Sequence, residues 1–194
     1  MINLDEYPLF RDNKGTLKEL SKDDHDGQNP SAVVYMTESD FLAVDFDKVK
    51  QVYANTLGHS EDDVFSVDGL AHTDTELVLI EFKNGKVNNK NIYDKIRDSL
   101  LVFCDTTNTN VSYTRQNMDF ILVYNEDRNP LPNQLTKGIV QDSKSRLTIA
   151  QCLARLGKKE FPRFGIERFE KLYFKAVHTY SQEEFERFIP QLRN

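Results

Sequence analysis

Two acidic residues and a lysine in the middle of the chain are of the types that hydrolyse phosphodiester bonds with the help of a metal ion. Asp68 precedes Glu81 by thirteen residues, and Lys83 follows Glu81 by two. Mg²⁺ is usually held by one or two carboxylates together with water and substrate phosphate. Such an ion activates a bound water, and a nearby ammonium can orient that water or neutralise the transition state. The residue types therefore indicate hydrolysis with Mg²⁺ or Mn²⁺ as the cofactor.

Two predicted strands would bring these side chains together. Residues 76–83 have the composition of a strand, and the two-residue period puts Glu81 and Lys83 on one face while the opposite face is core. Residues 65–71 form the other strand of the predicted hairpin. Facing residues in paired strands lie about 4.5 to 5.5 Å apart, so we expect Asp68 beside Glu81.

The pattern of an acid, any residue and then lysine is short, and the chain contains it at 12–14, 81–83 and 142–144. Only the middle copy closes an apolar strand, which favours it as the chemical site. The alternative interpretation is that this copy is simply a solvated strand face and that Asp68 belongs to an ordinary bend.

The middle of the chain resembles the PD-(D/E)XK, or restriction-endonuclease-like, nuclease superfamily. The resemblance is carried by Asp68, twelve further residues and then Glu81-Phe82-Lys83 at the end of an apolar strand, followed by a helix and another strand. The resemblance covers about residues 45–125. It implies an α/β fold with a mixed β-sheet flanked by helices, and metal-dependent cleavage of nucleic acid. It also implies that Asp68, Glu81 and Lys83 are the catalytic set, with the two acids as metal ligands and Lys83 as the catalytic lysine.

The chain departs from the superfamily pattern at two places before this set. Val67 stands where the superfamily has its eponymous proline, and only ten residues separate Leu57 from Asp68, which leaves little room for the extra strand that is usual there. The superfamily often takes a further acid from its first helix, for which Asp45 and Asp47 are candidates. Each is equally explained as a favourable charge at a helix N-terminus, so neither is assigned.

Helical and strand periodicity predicts the surrounding elements. Asp45 caps a helix that stops at Gly58, and a second helix is capped by Asn89 or Asn91. The apolar run at 120–124 is a buried strand, so the order strand, helix, strand predicts a parallel crossover. The other predicted elements are an irregular stretch at 11–30 with a helical turn at 17–20, a strand at 32–36, a polar turn at 72–75, a helix from Ser143 to Gly157, a strand at 172–180, and a terminal helix that Ser181 and Glu184 open and Pro190 ends.

The net charge of −6 hides an asymmetry along the chain. Residues 1–127 contain 12 Lys and Arg against 24 Asp and Glu, whereas residues 128–175 contain 11 against 4. An acidic first part suits a divalent cation, and a basic second part suits phosphates. We therefore expect nucleic acid as the partner, DNA in preference to RNA. The expected contacts are the basic residues Lys158, Lys159, Arg163, Arg168 and Lys171.

Aromatic residues alternate with these basic ones between positions 161 and 174. Such a mixture can pair phosphates and stack bases. The alternative, which the helical and strand spacing favours, is that the aromatic rings belong to the core and the basic groups to the outer surface. Binding of phosphates through the basic groups is compatible with both interpretations.

Composition predicts one globular domain over residues 1–194, with a nuclease-like core at about 45–125 and a basic extension at about 128–194. Hydrophobic residues make up 39% of the chain and charged residues 29%, which is typical of a folded protein. The apolar runs are far shorter than the roughly 20 residues that span a bilayer, and no secretory signal precedes them. Cys104 and Cys152 lack the paired spacing of a zinc site. We therefore expect a cytoplasmic protein with reduced thiols and no membrane partner.

Two functions are compatible with this sequence. The first is a metal-dependent nuclease that uses the acid pair and the lysine. The second is a non-catalytic module that keeps the same fold and binds nucleic acid or protein, because a fold does not fix a function.

Overall fold

The structure, a computed structural model, describes residues 2–24, 33–72, 77–130 and 162–192. The strands are β1 (Lys14–Thr16), β2 (Lys22–Asp24), β3 (Val33–Tyr35), β4 (Leu42–Asp45), β5 (Gly69–His72), β6 (Leu77–Lys83), β7 (Met118–Tyr124) and β8 (Val177–Ser181). The helices are α1 (Pro8–Arg11), α2 (Leu17–Leu20), α3 (Phe46–Thr56), α4 (Asn89–Thr107), α5 (Val111–Asn117) and α6 (Gln182–Leu192), with 3₁₀ turns at Leu4–Glu6, Glu61–Asp63 and Ile166–Phe169. The predicted helix from Ser143 to Gly157 and most of the predicted turn at 72–75 lie outside the described residues.

Six strands of the described residues form one mixed sheet in the order β1-β4-β5-β6-β7-β8. Neighbouring strands are antiparallel from β1 to β6, whereas β6, β7 and β8 run parallel to one another. Strands β2 and β3 form a separate antiparallel pair. Helices flank the main sheet, which confirms the predicted α/β class. The parallel crossover from β6 through α4 to β7 is confirmed as well.

Strand β6 is covered on both of its faces. On one face Leu79 packs in a cluster with Ile96 of α4, and on the other Phe82 meets Phe185 of α6 edge to face, with ring centroids 5.4 Å apart. Sheets with parallel strands are commonly buried on both sides because crossover helices cover them. The expectation that only one face of this strand belongs to the core is therefore wrong, and the Glu81 side chain is only 1% exposed.

The strand that follows Asp68 begins later than the predicted strand at 65–71. Strand β5 begins at Gly69, and residues 65–68 lead into it without pairing as a strand. Between α3 and β5 the described residues contain a 3₁₀ turn and no strand, as the short spacing from Leu57 to Asp68 predicted. Periodicity missed β4, which lies before α3 and pairs with β5, because a strand of four residues is too short to show alternation.

Polar side chains begin the two long helices. Asp45 Oδ1 accepts a hydrogen bond from the backbone N–H of Lys48 at 3.2 Å, which confirms the predicted cap of α3. Helix α4 is capped by Asn88 instead of Asn89 or Asn91, since the Asn88 side chain accepts from backbone N–H groups two and three residues later. A cap must itself be extended, and Asn88 has φ −102° whereas the two predicted residues already lie within the helix.

The terminal helix begins as predicted and ends later. Ser181 and Glu184 form the predicted capping box, with Glu184 N donating to Ser181 Oγ at 3.3 Å and Ser181 N donating to the Glu184 carboxylate at 2.8 Å. The helix then continues through Pro190 to Leu192, so the expected stop at Pro190 is wrong. Leu192 is 3% exposed and packs in the apolar cluster under α6, which holds the last turn although proline donates no hydrogen bond. No helix of the described ranges is long and apolar enough to cross a membrane.

Candidate active site

Asp68 immediately precedes β5, and Glu81 lies on the neighbouring strand β6. Gly69 of β5 pairs with Ile80 of β6, so the residue before Gly69 falls beside Glu81 in the antiparallel register. The Asp68 carboxylate is oriented by the backbone, because the N–H of Phe82 donates to Asp68 Oδ2 at 2.5 Å. The sheet itself thus sets the position of both acids.

Helix α4 places the ammonium of Lys95 against both carboxylates. Lys95 Nζ lies 2.7 and 2.9 Å from the two carboxylate oxygens of Glu81 and 3.5 Å from Asp68 Oδ1. The sum of two of these contacts limits the separation of Asp68 Oδ1 and Glu81 Oε1 to about 6 Å. The two acids therefore lie on the same side of the sheet and share one cation.

Lys95 is a functional candidate that the sequence reasoning missed. It lies three residues after Ile92 and four before Ser99, both of which are buried on the inner face of α4. A lysine at these intervals belongs to the apolar stripe of the helix, where an unpaired ammonium would be costly. That break in the apolar pattern was the available signal, because it requires a buried carboxylate opposite.

A third acid acts on the same site. The hydroxyl of Ser66 donates a short hydrogen bond to Asp47 Oδ1, and Asp47 belongs to the first turn of α3. Its negative charge acts on Asp68, Glu81 and Lys95. The other helix acid, Asp45, caps α3 and pairs with Lys48 Nζ at 2.8 Å. The two candidates therefore differ in their contacts, because Asp47 accepts from Ser66 whereas Asp45 caps α3 and pairs with Lys48.

Burial and neighbouring charges shift the pKa values of Asp68, Glu81 and Lys95. Burial raises the pKa of Asp68, and burial together with the Asp68 charge raises the pKa of Glu81 to about 8. Burial alone would lower the pKa of Lys95, but the two carboxylates outweigh it and raise this pKa. The two carboxylates thus favour the charged form of Lys95, whereas burial favours the protonated form of each acid.

Lys83 lies near Asp68 but not in the triad. It ends β6, is partly buried, and lines a polar cleft of about 190 Å³ together with Asp68 and Asn84. Glu81 does not line that cleft. Among the described residues, Lys83 makes no ion pair with either carboxylate, whereas Lys95 contacts both. Asp68 thus lies beside Glu81 of β6 and also lines the cleft with Lys83, so the three predicted side chains do not line this cleft together.

The donor set suits a hard divalent cation that is shared with a substrate. Carboxylate oxygens are the ligands that Mg²⁺ prefers, and one or two of them are commonly enough. Burial is the main cause of the raised pKa values of Asp68 and Glu81, and a divalent ion bound to them would favour their charged forms. Within the described ranges, no group of three or more His, Cys, Asp or Glu residues is arranged to hold a metal ion by itself. Two carboxylates would leave the other coordination positions of a bound ion to water or to phosphate.

The basic residues expected to bind nucleic acid have different environments. Arg163 is 8% exposed, and its Nη2 donates to the carbonyl oxygen of Asn129 at 2.8 Å while its guanidinium stacks 4.6 Å from the Tyr124 ring. Arg163 is therefore buried and hydrogen-bonded to the backbone at Asn129 instead of being exposed on the surface. Arg168 and Lys171 are exposed. Lys158 and Lys159 lie outside the described residues, and a contact of these groups with phosphate stays a prediction.

The aromatic rings of this segment belong to the core where they are described. Phe169 and Phe174 are 2% and 0% exposed, and Phe174 stacks on Phe120 of β7 with ring centroids 5.5 Å apart. Phe161 lies outside the described residues. The interpretation as an inner face is confirmed for Phe169 and Phe174, and Phe164 and Tyr173 are partly buried against the same core.

No family model, curated protein or solved structure matches this chain. The resemblance to the nuclease superfamily therefore stays a prediction. Function has to be inferred from the geometry around Asp68, Glu81 and Lys95.

Proposed function

We propose that the protein hydrolyses phosphodiester bonds in nucleic acid, DNA in preference to RNA, with Mg²⁺ or Mn²⁺ held by Asp68 and Glu81. One observation carries the proposal: the buried carboxylate of Glu81 and the partly buried carboxylate of Asp68 lie within about 6 Å of each other and both face the Lys95 ammonium. Burying two acids together is costly, and such arrangements with shifted pKa values concentrate at functional sites. The resemblance of Asp68 and Glu81-Phe82-Lys83 to the PD-(D/E)XK superfamily supports the same activity.

Each side chain has a definite task in this proposal. The bound ion supplies an activated water and offsets charge on the phosphoryl oxygens. The N–H of Phe82 fixes the Asp68 carboxylate, so that its orientation costs little when the substrate arrives. Lys95 compensates negative charge at the acid pair, and Lys83, which lines the neighbouring cleft, would contact a substrate phosphate in this proposal.

A second function, a binding module without catalysis, is favoured by one specific observation. Both oxygens of Glu81 already receive hydrogen bonds from Lys95, and the Glu81 side chain is almost fully buried. In such a module the ammonium would replace the metal ion permanently. Nucleic acid or protein would then bind without any requirement for a divalent cation.

Cleavage assays separate these two functions. Supercoiled plasmid, linear duplex, single-stranded DNA and RNA are incubated with wild type in Mg²⁺, in Mn²⁺ and in chelator. The nuclease proposal expects cleavage of at least one substrate with metal and none in chelator. Glu81→Gln should abolish that cleavage, whereas Asp12→Asn, which alters the exposed acid of another acid-x-Lys pattern, should keep it. Binding without cleavage under every condition would favour the module.

A further inference from the structure

The contact between Lys95 and Glu81 uses the same atoms that a metal ion needs. Lys95 Nζ donates to both Glu81 oxygens, at 2.7 and 2.9 Å, so that each oxygen already has one of its lone pairs engaged by the ammonium. A Mg²⁺ bonded to Glu81 Oε1 at about 2.1 Å would lie no more than about 5 Å from Nζ if the ammonium kept its present 2.7 Å contact. Two positive charges separated by such a short distance in a buried site repel each other strongly. The ammonium and the ion therefore compete for Glu81.

The competition is built into the fold. Lys95 is carried by α4, whose neighbouring residues Ile92 and Ile96 are 1% and 0% exposed and are fixed in the main core. The backbone of Lys95 is thus held in place while its side chain, 22% exposed, retains a route toward solvent. A lysine side chain is a flexible four-carbon chain, so the ammonium can change partner without any movement of the helix.

The ammonium needs another anion when it leaves Glu81. In the described part of the site the nearest alternative is Asp68, at 3.5 Å, and Asp68 is the second ligand of the same ion in the proposed function. A phosphate group bound beside the acid pair would provide oxygens that accept from Lys95 and also coordinate the ion. Phosphate is therefore the chemistry that relieves the competition.

We infer that Lys95 is a tethered counter-ion that blocks divalent cations until a phosphate-bearing substrate is bound. In the absence of substrate it neutralises and orients the acid pair. When a nucleic-acid phosphate enters, Lys95 transfers to a non-bridging phosphate oxygen, and the ion takes the Glu81 oxygen that it vacates. Metal and substrate thus bind with positive cooperativity. This inference rests on the proposed function, since it takes Asp68 and Glu81 as the ligands.

Mn²⁺ binding provides a test that does not depend on cleavage. Free Mn²⁺ is followed by electron paramagnetic resonance in wild type, Lys95→Met and the control Lys90→Met, which alters an exposed lysine of the same helix. Each is titrated alone and with a short duplex DNA that carries phosphorothioate linkages. We expect DNA to tighten Mn²⁺ binding to wild type and to Lys90→Met by about tenfold, within the usual range of coupling between sites. Lys95→Met should bind Mn²⁺ about tenfold more tightly without DNA and should gain little from DNA.

The opposite results have distinct meanings. If Lys95→Met binds Mn²⁺ no more tightly than wild type without DNA, Lys95 does not compete and the inference is overturned, although the nuclease proposal stands if wild type cleaves. If no variant binds Mn²⁺ under any condition, the proposed function fails together with the inference. Reciprocity gives a second test on wild type alone, in case Lys95→Met folds poorly. Mn²⁺ must tighten DNA binding by the same factor, and an unchanged DNA affinity would contradict the counter-ion.

Discussion

The ammonium of Lys95 on α4 bridges the Glu81 carboxylate of β6, with both N–O distances below 3 Å, to the Asp68 carboxylate 3.5 Å away. A helix and two strands thus meet in a charged triad inside an otherwise apolar layer. Removal of one partner from a buried ion group usually costs about 3 to 5 kcal/mol, because the remaining charge is left unpaired. The triad therefore influences stability as well as chemistry, and both effects can be measured.

The first prediction concerns Lys95 and stability. Lys95→Met should lower the free energy of unfolding by about 3 kcal/mol at pH 8, because the buried Glu81 and the partly buried Asp68 would then lack their ammonium partner. At pH 5 the loss should be smaller, since the acids can take up protons instead. Urea denaturation at the two pH values measures the difference. Lys90→Met is the matched control and should change stability by no more than about 0.5 kcal/mol.

The second prediction is a pH dependence that comes from Glu81. Its pKa is raised from about 4.5 to about 8 in the folded protein, so the folded state holds a proton that the unfolded chain has lost in this interval. The resulting stability is fully present below about pH 4.5 and is lost as the pH rises through about 8. The raised pKa of Asp68 acts in the same direction. Denaturation curves between pH 5 and pH 8 should show falling stability in wild type and a flatter profile in Glu81→Gln.

Lys95 does not disturb that interval. Its raised pKa contributes stability that is present below the ordinary lysine value and is lost only at strongly alkaline pH. A wild-type profile that rises between pH 5 and pH 8, or a Glu81→Gln profile with the same slope as wild type, would contradict the assignment of the pH dependence to Glu81.

The third prediction concerns the backbone contact of Asp68. Asp68→Ala leaves the N–H of Phe82 without its acceptor and should cost about 1 to 3 kcal/mol. Asp68→Asn keeps an acceptor oxygen and should cost less. Both variants lose the carboxylate and should lose metal-dependent cleavage. Equal stability of the two variants would mean that the contact with Phe82 has no energetic role.

The fourth prediction separates the two acids of α3. Asp47→Asn removes a negative charge that acts on Glu81, so the pH at which the Glu81-dependent stability is lost should move downward. Asp45→Asn keeps a good helix cap and should leave that pH unchanged. The same series of denaturation curves provides both values. A shift caused by Asp45→Asn and absent from Asp47→Asn would reverse the assignment.

Sequence spacing was enough to place the acid pair. Asp68 and Glu81 are linked by local strand pairing, and the alternation of β6 fixes the face of Glu81. The contact with Lys95 depends on how α4 is rotated against the sheet, which is a property of the packed core and not of local pattern. Lys83 matched the motif, but the end of β6 directs it to the cleft beside Asp68.

The basic segment shows a second limit of sequence reasoning. Net charge correctly marks residues 128–175 as basic, but it does not reveal which groups face solvent. Arg163 turns inward because carbonyl oxygens of Asn129 and Pro130 and the ring of Tyr124 provide partners for its guanidinium. These partners lie more than thirty residues away in sequence, so no local pattern contains them.

The most direct measurement of the central claim is the position of a bound ion. Crystals of the protein grown with Mn²⁺ and duplex DNA that resists cleavage would give the ion's location from its anomalous scattering. We expect one peak within about 2.0 to 2.3 Å of carboxylate oxygens from both Asp68 and Glu81, with Lys95 Nζ moved onto a phosphate oxygen. An ion bound elsewhere would contradict the claim that Asp68 and Glu81 hold the metal. The same holds if the DNA is well ordered but Lys95 still pairs with Glu81 and no peak lies at the acid pair.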